Sequence, residues 1–505
     1  MALLNTIINQ YGTKRLKEID FFKKNPIEVQ ENMFKKLIKN SYQTEFGRKY
    51  DIQSIKSINK FAENIPINEY EDLLPYINRI LNGEQNILIS EPVNWFAKSS
   101  GTTSTRSKYI PITKLSLQKC HFQSGKDIYF IYNNFYPDTK IFNGKTLSIG
   151  GSTSYTKDNN SYSGDLSAII LKNLPWWSGN NMALSKGISL IPEWDRKLNE
   201  IIQTTYNKNI VQIVGVPSWL MVLFRKLLDF TGKKNILEIW KNLELFVHGG
   251  VNFEPYQEIY KKYIPSISMN YFETYNASEG FFGLQDEFYR NKKDLLLMLD
   301  YEIFYEFINL SDYNSGNLKA IPLSEISLDK NYVMVITTNG GLWRYIIGDT
   351  IKFTSKNPYR FILTGRTKHF INLFGEELMV HNADSAVFYA CQQTNSLIKE
   401  YTAAPIMFEN KESQGRHEWI FEFIQKPDDM NLFMNYLDKK LQEINSDYEA
   451  KRYKGINLAF PSYTTVKEGI FEKVLENKNK LGGQNKVPRL SNDRKFLKEI
   501  LTIND

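Results

Sequence analysis

Ten consecutive residues, Ser99-Ser100-Gly101-Thr102-Thr103-Ser104-Thr105-Arg106-Ser107-Lys108, carry the clearest chemical signal in this 505-residue chain. Six of the first seven bear hydroxyls, and the other is a glycine that lets the backbone turn tightly. Extended, apolar-leaning stretches flank the run, Val93 to Ala97 before it and Tyr109 to Ile112 after it. The pattern predicts a strand–loop–strand element with a donor-rich tip. Such a tip can wrap a polyphosphate with hydroxyls and backbone N–H groups, with Arg106 or Lys108 adding charge. It is not the Walker loop, because no Gly-Lys-Ser/Thr follows at the required spacing. Taken alone, the run fits a solvated hairpin tip equally well.

Four further constellations could carry chemistry. His248-Gly249-Gly250 follows an apolar run, and Gly249 and Gly250 allow close backbone approach to a ligand or simply a tight turn. In Tyr271-Phe272-Glu273-Thr274-Tyr275-Asn276-Ala277-Ser278-Glu279-Gly280, a strand ends in a small polar turn. There Tyr275 could stack on a base and Glu279 could hold a divalent cation among phosphates. In Arg344-Tyr345-Ile346-Ile347-Gly348-Asp349, the aspartate at a strand end is placed to accept two hydrogen bonds from a ribose diol, and Arg344 is alternatively a structural ion-pair partner. Gly482-Gly483-Gln484-Asn485-Lys486-Val487-Pro488-Arg489 sets a lysine on a glycine-rich loop. In isolation, each reads more simply as ordinary turn or surface chemistry.

The elements that must position these groups follow from periodicity. Residues 1–50 are predicted helical, with Met33, Leu37 and Tyr42 at helical spacing. Strand-like and helix-like stretches then alternate to about residue 366, which argues for α/β layers. Strands are expected over Lys145–Ile149, Ile210–Val214, Leu243–Val247, Ser268–Thr274 and Tyr332–Thr338, with helices over Leu198–Tyr206 and Trp219–Asp229. A second unit is expected after that point. It has a strand at Glu418–Phe423, a helix burying Leu432, Tyr436, Leu437, Leu441 and Ile444, and two more helices over Val466–Leu475 and Asp493–Leu501. The charge of +7 is spread along the chain, and no basic stripe interleaved with aromatics indicates a nucleic-acid groove. Two distant cysteines, Cys120 and Cys391, and five scattered histidines give no zinc or iron–sulfur spacing. No leader or membrane span is visible, so a cytoplasmic location is expected. The aromatic share of 14% fits a large core ahead of an apolar ligand pocket.

In their order along the chain, Ser-Ser-Gly-Thr-Thr, Tyr-x-x-Ser-Glu, Arg-Tyr-x-x-Gly-Asp and Gly-Gln-x-Lys-x-Pro-Arg resemble the Gretchen Hagen (auxin-responsive promoter) family of acyl acid–amido synthetases. That family sits within the adenylate-forming superfamily of luciferases and acyl-CoA ligases. The resemblance runs from Thr44-Glu45-Phe46-Gly47 to Arg489 and is closer to bacterial members. It implies a large N-terminal α/β domain, 1–366, that binds ATP and the acyl acid, and a smaller mobile α+β C-terminal lid, 367–505. By resemblance, Ser99, Ser100, Gly101, Thr102 and Thr103 form the phosphate loop. Gly249, Gly250, Tyr275 and Ser278 contact the nucleotide, Asp349 binds the ribose and Arg366 contacts ribose or phosphate. Glu279 holds Mg²⁺, and Lys486 is the catalytic lysine, swinging in with the lid for the first half-reaction. His369 follows Lys368 where many relatives carry aspartate or lysine, which leaves the hinge residue open. The expected reaction joins a carboxylic acid to an amino acid through an acyl-adenylate. Such chemistry needs no protein nucleophile, which agrees with the lack of a Ser/His/Asp or Cys/His set. Val216-Pro217-Ser218-Trp219, Leu220 and Met221 line the acyl pocket by position, or pack in the core. An acyl-CoA ligase is the alternative enzyme, and a nucleotide-binding protein without catalysis is the alternative class.

Overall fold

Alternating apolar and β-branched runs build the centre of the protein. Val333 to Ile336, Phe304 to Phe307 and Leu295 to Leu297 are all buried, as strands covered on both faces must be. The computed structural model describes every residue except 1, 100–107, 151–155, 159–160, 175–180, 192, 251–252, 289–293, 368–369, 372–375, 377, 407–414, 446–447, 450–451, 453–457, 479–486 and 505. By contacts the chain divides into two compact units. One comprises Met1–Gly250, Ile267–Ile347 and Ile351–Ile362; the other comprises Val251–Ser266, Gly348–Thr350 and Leu363–Asp505.

The first unit is built on an eleven-stranded mixed sheet. Its order is Ala320–Pro322, Ile303–Asn309, Asn331–Thr338, Tyr345–Lys356, Tyr359–Arg366, Leu295–Leu297, Gly280–Leu284, Asn270–Ala277, Leu245–Gly249, Ile210–Gly215 and Lys145–Ser148. The last four run parallel to one another. Helix Pro217–Thr231 connects two of them, with proline at its first turn, where a missing N–H costs nothing. A four-stranded sheet holds Lys108–Thr113, Val93–Ser99, Ser161–Gly164 and Thr156–Asp158 in that order.

The N-terminal helices Ala2–Lys24 and Pro26–Lys39 lock onto this unit through polar groups as well as apolar ones. Arg15 forks onto Asp127 and also reaches Asp300, while Gln30 donates to the carbonyls of Leu299 and Ile303 at 2.9 and 3.0 Å. Met33 and Leu37 are buried, as their spacing predicts. The expected strands and helices up to residue 366 are present with ends shifted by a few residues, as at Asn270–Ala277 and Pro217–Thr231.

The second unit centres on the sheet Leu397–Ile406, Arg416–Gln425 and Ser462–Val466. Period-two alternation divides the middle strand. Trp419, Phe421 and Phe423 face one core with helices Val380–Gln393 and Met430–Ile444, while Ile420 faces another with Ile470–Asn477 and Lys495–Asn504. Two expectations are corrected here. Val466 ends a strand instead of opening a helix, because the β-branched Thr464-Thr465-Val466 pairs with Ile420-Phe421-Glu422 and the helix starts only after Gly469 at φ +88°. Helix Met430–Ile444 buries Phe433, Met434, Leu437, Asp438 and Leu441, leaving Leu432 and Ile444 exposed. Buried Asp438, bonded by Arg452 and Tyr448, sets that face. No helix among the described residues is long and apolar enough to cross a membrane.

Candidate active site

Parallel strands present their backbone termini at the carboxyl edge, and ligands of open α/β sheets gather there. Gly215 stands beside His248, and Gly249 stands beside Thr274, so two strands end within a residue of each other while the third runs on to Ala277. Gly249 is required by close approach. A Cβ there would lie 2.5 Å from the Thr274 carbonyl oxygen and 2.8 Å from its hydroxyl. Gly250 follows at φ +85°, a left-handed conformation that a side chain resists. The helix that starts at Pro217 leaves the neighbouring strand end, with Leu220 and Met221 buried and Trp219 half-buried.

Strand Asn270–Ala277 continues into an antiparallel hairpin in which Ala277 pairs with Gly280, so Ser278 and Glu279 form its turn. Tyr275, Ser278 and Glu279 are thereby brought together just past the glycines. The Tyr275 ring is 6% exposed and packs on Phe282 at 5.0 Å and Phe361 at 6.1 Å. Ser278 Oγ is buried without a hydrogen-bond partner among the described residues. Glu279 is half-buried and borders a small pocket with His121, Cys120 and Asn339. Among the described residues no group of three or more His, Cys, Asp or Glu side chains gathers into a metal cage. Mg²⁺ commonly takes one or two carboxylates and completes its shell with phosphate oxygens and water, so a single carboxylate on a turn fits it.

The nearby thiol and imidazoles are inert. Burial pushes the Cys120 thiol up to about 12, with the Phe281 N–H at 3.2 Å pulling the other way. Burial also pushes His121 down to about 4 and His248 down to about 3, so both are neutral at neutral pH. None is poised as a nucleophile.

The hydroxyl run begins where the sequence predicts it. Strands Val93–Ser99 and Lys108–Thr113 pair antiparallel, with Ser99 opposite Lys108. Ser100, Gly101, Thr102 and Thr103 lie outside the described residues. Lys108 is tied down: its ammonium reaches the Tyr345 hydroxyl at 3.2 Å and sits 5.4 Å from the centre of the Tyr70 ring. Sequence reasoning missed a buried pair close by. Ala97 is level with Gly164, which places Asp165 abreast of Lys98. Burial pushes Asp165 up to about 6, against the pull of Lys197 and Lys98. Burial pushes Lys197 down to about 8, against Asp165, and its ammonium donates to Gly150 O at 2.9 Å. Lys197 sits in the polar-looking helix Trp194–Thr205, so no local signal distinguishes it from a surface lysine.

Asp349 and Arg366 belong to the second unit by their contacts, and the structure joins them: Arg366 Nε lies 2.8 Å from Asp349 Oδ1. Gly348, at φ +87°, bends the chain just before the aspartate, and its carbonyl accepts the Thr367 N–H at 2.9 Å. Arg344 belongs to structure, as the ion-pair alternative holds. Its guanidinium is buried on Glu306 at 2.8 and 2.9 Å. Lys486 lies outside the described residues, while the stem after it is fixed. Thr402 Oγ1 donates to Pro488 O at 2.6 Å, and the Ala403 N–H donates to Arg489 O at 2.8 Å. The Arg489 guanidinium is bonded to Asp384 and to the Tyr256 hydroxyl.

Comparison with known proteins finds three family models in succession. The GH3 family N-terminal domain matches residues 15–269, the central domain 296–366 and the C-terminal domain 381–495. Among curated relatives, an indole-3-acetic acid-amido synthetase of Arabidopsis thaliana, GH3.4, is 23% identical over 94% of this chain and 91% of its own. Among solved structures, the GH3.15 acyl acid amido synthetase superposes with a TM-score of 0.78 at 17% identity, covering 96% of this chain and 95% of that one. A 2-hydroxyisobutyryl-CoA ligase in its postadenylation state superposes with a TM-score of 0.58 at 12% identity, covering 94% and 91%. These likenesses show the adenylate-forming fold.

Proposed function

Because the chain belongs to the GH3 family, we propose that it is an ATP-dependent acid–amino acid ligase that works through an acyl-adenylate. A carboxylate is a poor acylating agent, since its leaving group would be oxide. Its oxygen attacks the α-phosphorus of ATP, the bond to pyrophosphate breaks, and a mixed anhydride forms. The amine of an amino acid then attacks the acyl carbon, the C–O bond to AMP breaks, and the amine proton is lost. Nothing in this sequence needs a protein nucleophile, and the buried, neutral states of Cys120, His121 and His248 agree with that.

The observation that carries the reading is the strand end at Gly249, level with Thr274 of a strand that runs on into the Ser278-Glu279 turn. It gathers backbone N–H groups, a close-approach glycine and one carboxylate at the edge where a nucleotide binds. In this proposal Ser99, Ser100, Gly101, Thr102 and Thr103 wrap the phosphates, and Gly249, Gly250, Tyr275 and Ser278 border the nucleotide. Asp349 accepts hydrogen bonds from the ribose, and Arg366, now paired to it, shares ribose or phosphate contact. Glu279 would hold Mg²⁺, which when bound shields the charge of the departing pyrophosphate. Lys486 neutralises charge on the α-phosphate and the attacking carboxylate. The division at 366/367 into a binding domain and a mobile lid, and a cytoplasmic location, belong to the same proposal.

The test is a pyrophosphate-release screen over aryl, indolyl and fatty acids with Mg²⁺, each with pooled amino acids or with CoA. We expect release with at least one acid and an amide by mass spectrometry. A thioester would replace the proposal with an acyl-CoA ligase, and no release with any acid would revive a non-catalytic nucleotide-binding role. Lys486→Ala should cut acyl-adenylate formation by roughly 10²–10³-fold, the loss expected for one transition-state donor. A near-normal adenylation rate in that variant, with circular dichroism unchanged, would remove Lys486 from the mechanism.

A further inference from the structure

Asn339 follows the strand Asn331–Thr338 and is 4% exposed. A chain of two hydroxyls meets its amide oxygen. Thr113 Oγ1 accepts the Ser116 N–H at 2.9 Å and lies 2.8 Å from the Ser116 hydroxyl, and that hydroxyl donates to Asn339 Oδ1 at 2.7 Å. With Oδ1 committed to Ser116, Nδ2 faces away from it. Asn339 Nδ2 is buried and has no hydrogen-bond partner among the described residues. Buried donors are almost always matched, by protein or by ordered water.

The pocket that Asn339 borders is also lined by Ser116, His121 and Glu279 and offers about 10 Å³. That is room for about one water molecule, and a water needs polar partners of the kind gathered here. Glu279 sits on a two-residue turn and borders the same pocket as Asn339.

We propose that this pocket is a built site for a single water molecule that accepts a hydrogen bond from Asn339 Nδ2 and donates one to the Glu279 carboxylate. Asn339 is thereby a positioning residue for the carboxylate that faces the cation, and Ser116 and Thr113 orient Asn339. The inference rests on the reading of Glu279 as the Mg²⁺ contact. Outer contacts of this type orient metal-binding side chains, and their loss commonly weakens metal affinity by about 10–100-fold.

The experiment measures Mn²⁺ binding by electron paramagnetic resonance in the presence of α,β-methylene ATP, which requires no turnover. Asn339→Leu keeps the volume and removes the donor. We expect it to weaken Mn²⁺ by about 10-fold or more, with the thermal midpoint close to that of the parent. Ser116→Ala, which frees the amide to flip, should shift the affinity in the same direction by less, and it carries the test should Asn339→Leu not fold. Glu279→Gln is measured alongside. If Glu279→Gln leaves Mn²⁺ binding unchanged, the metal reading of Glu279 fails and this inference with it. If Glu279→Gln weakens binding while Asn339→Leu and Ser116→Ala do not, the water site alone is overturned and the proposed function stands. A high-resolution crystal structure should place an ordered water within hydrogen-bond reach of Asn339 Nδ2.

Discussion

Arg344 occupies a conformation that few side chains tolerate, with φ at +42°. What holds it there is a full set of partners. Its guanidinium donates to both Glu306 oxygens and to the carbonyls of Ala62 and Ile65, and its backbone N–H donates to Thr337 Oγ1 at 3.0 Å. Burial pushes the Glu306 carboxyl up, and Arg344 pulls it back. Removing one member of such a pair strands a buried charge. Arg344→Met should therefore lose about 3–5 kcal/mol of stability in urea unfolding, and adding Glu306→Leu should recover much of it. Equal stability of parent and single variant would mean that the pair is not what holds this turn. The residue also marks how far sequence reaches at this scale. Arg344 and Asp349 stand five positions apart in one motif, and composition treats both as polar residues among apolar ones. Their fates separate only because Glu306 lies beneath the first and Arg366 beside the second. Asn339 gave no local signal for the same reason, since its partner Ser116 is 223 residues away.

Pattern is more legible at the scale of the element, where periodicity is local. The parallel strands of the first unit and the Trp419-Ile420-Phe421 alternation were readable because burial on a strand repeats every second residue. Helix Met430–Ile444 is legible from its apolar spacing, yet its buried face differs from the expected one, because Asp438 points inward to Arg452 and an acidic residue does not look like core. The stem after Lys486 was not readable at all. Residues 489–491 add themselves to strand Leu397–Ile406 through Ala403 N–H to Arg489 O at 2.8 Å and Ser491 N–H to Ala403 O at 3.2 Å. No apolar alternation announces this, and the anchor is a charge: Arg489 held by Asp384 and Tyr256 with its guanidinium 5.0 Å from the centre of the Tyr401 ring. Arg489→Ala should loosen the strap, since it leaves the Thr402 bond, the backbone pairing and buried Leu490 to hold it. Hydrogen exchange at the Ala403 and Ser491 amides should rise by at least about 10-fold, equivalent to about 1.4 kcal/mol of local stability. The amides of Ile470–Asn477 should keep their parental protection. Unchanged exchange at Ala403 would show that those contacts fix the stem without Arg489.

At the scale of the whole molecule, many aromatic residues are buried in the cores. Trp240, Trp343, Trp419 and Tyr132 are among its largest fully buried side chains, in line with the composition. The grouping of Val251–Ser266 with the C-terminal residues was invisible in sequence, because it depends on contacts such as Ser385 Oγ to Glu254 at 3.1 Å across 131 residues. Burial on this scale also sets a pH response. His248 is fully buried, and burial holds it down at about 3, against 6.5 for a free imidazole. Below pH 6.5 the unfolded chain takes up a proton that the folded chain refuses. The stability contributed by the neutral imidazole is thus complete above pH 6.5 and is lost as pH falls toward 3. Asp165 works in the opposite sense. Its carboxyl, raised to about 6, holds a proton in the fold that the unfolded chain releases above 3.8, so its effect favours the fold as pH drops through that window. The two partly cancel in the total, and a comparison of variants separates them. His248→Gln retains Asp165 and every other group. The stability advantage of the parent over this variant should be constant above pH 7 and shrink by about 1.4 kcal/mol for each pH unit between 6 and 4.5 in urea titrations. An advantage that stays level across that range would mean that His248 is protonated within the fold, and that the glycine turn it precedes carries a buried positive charge.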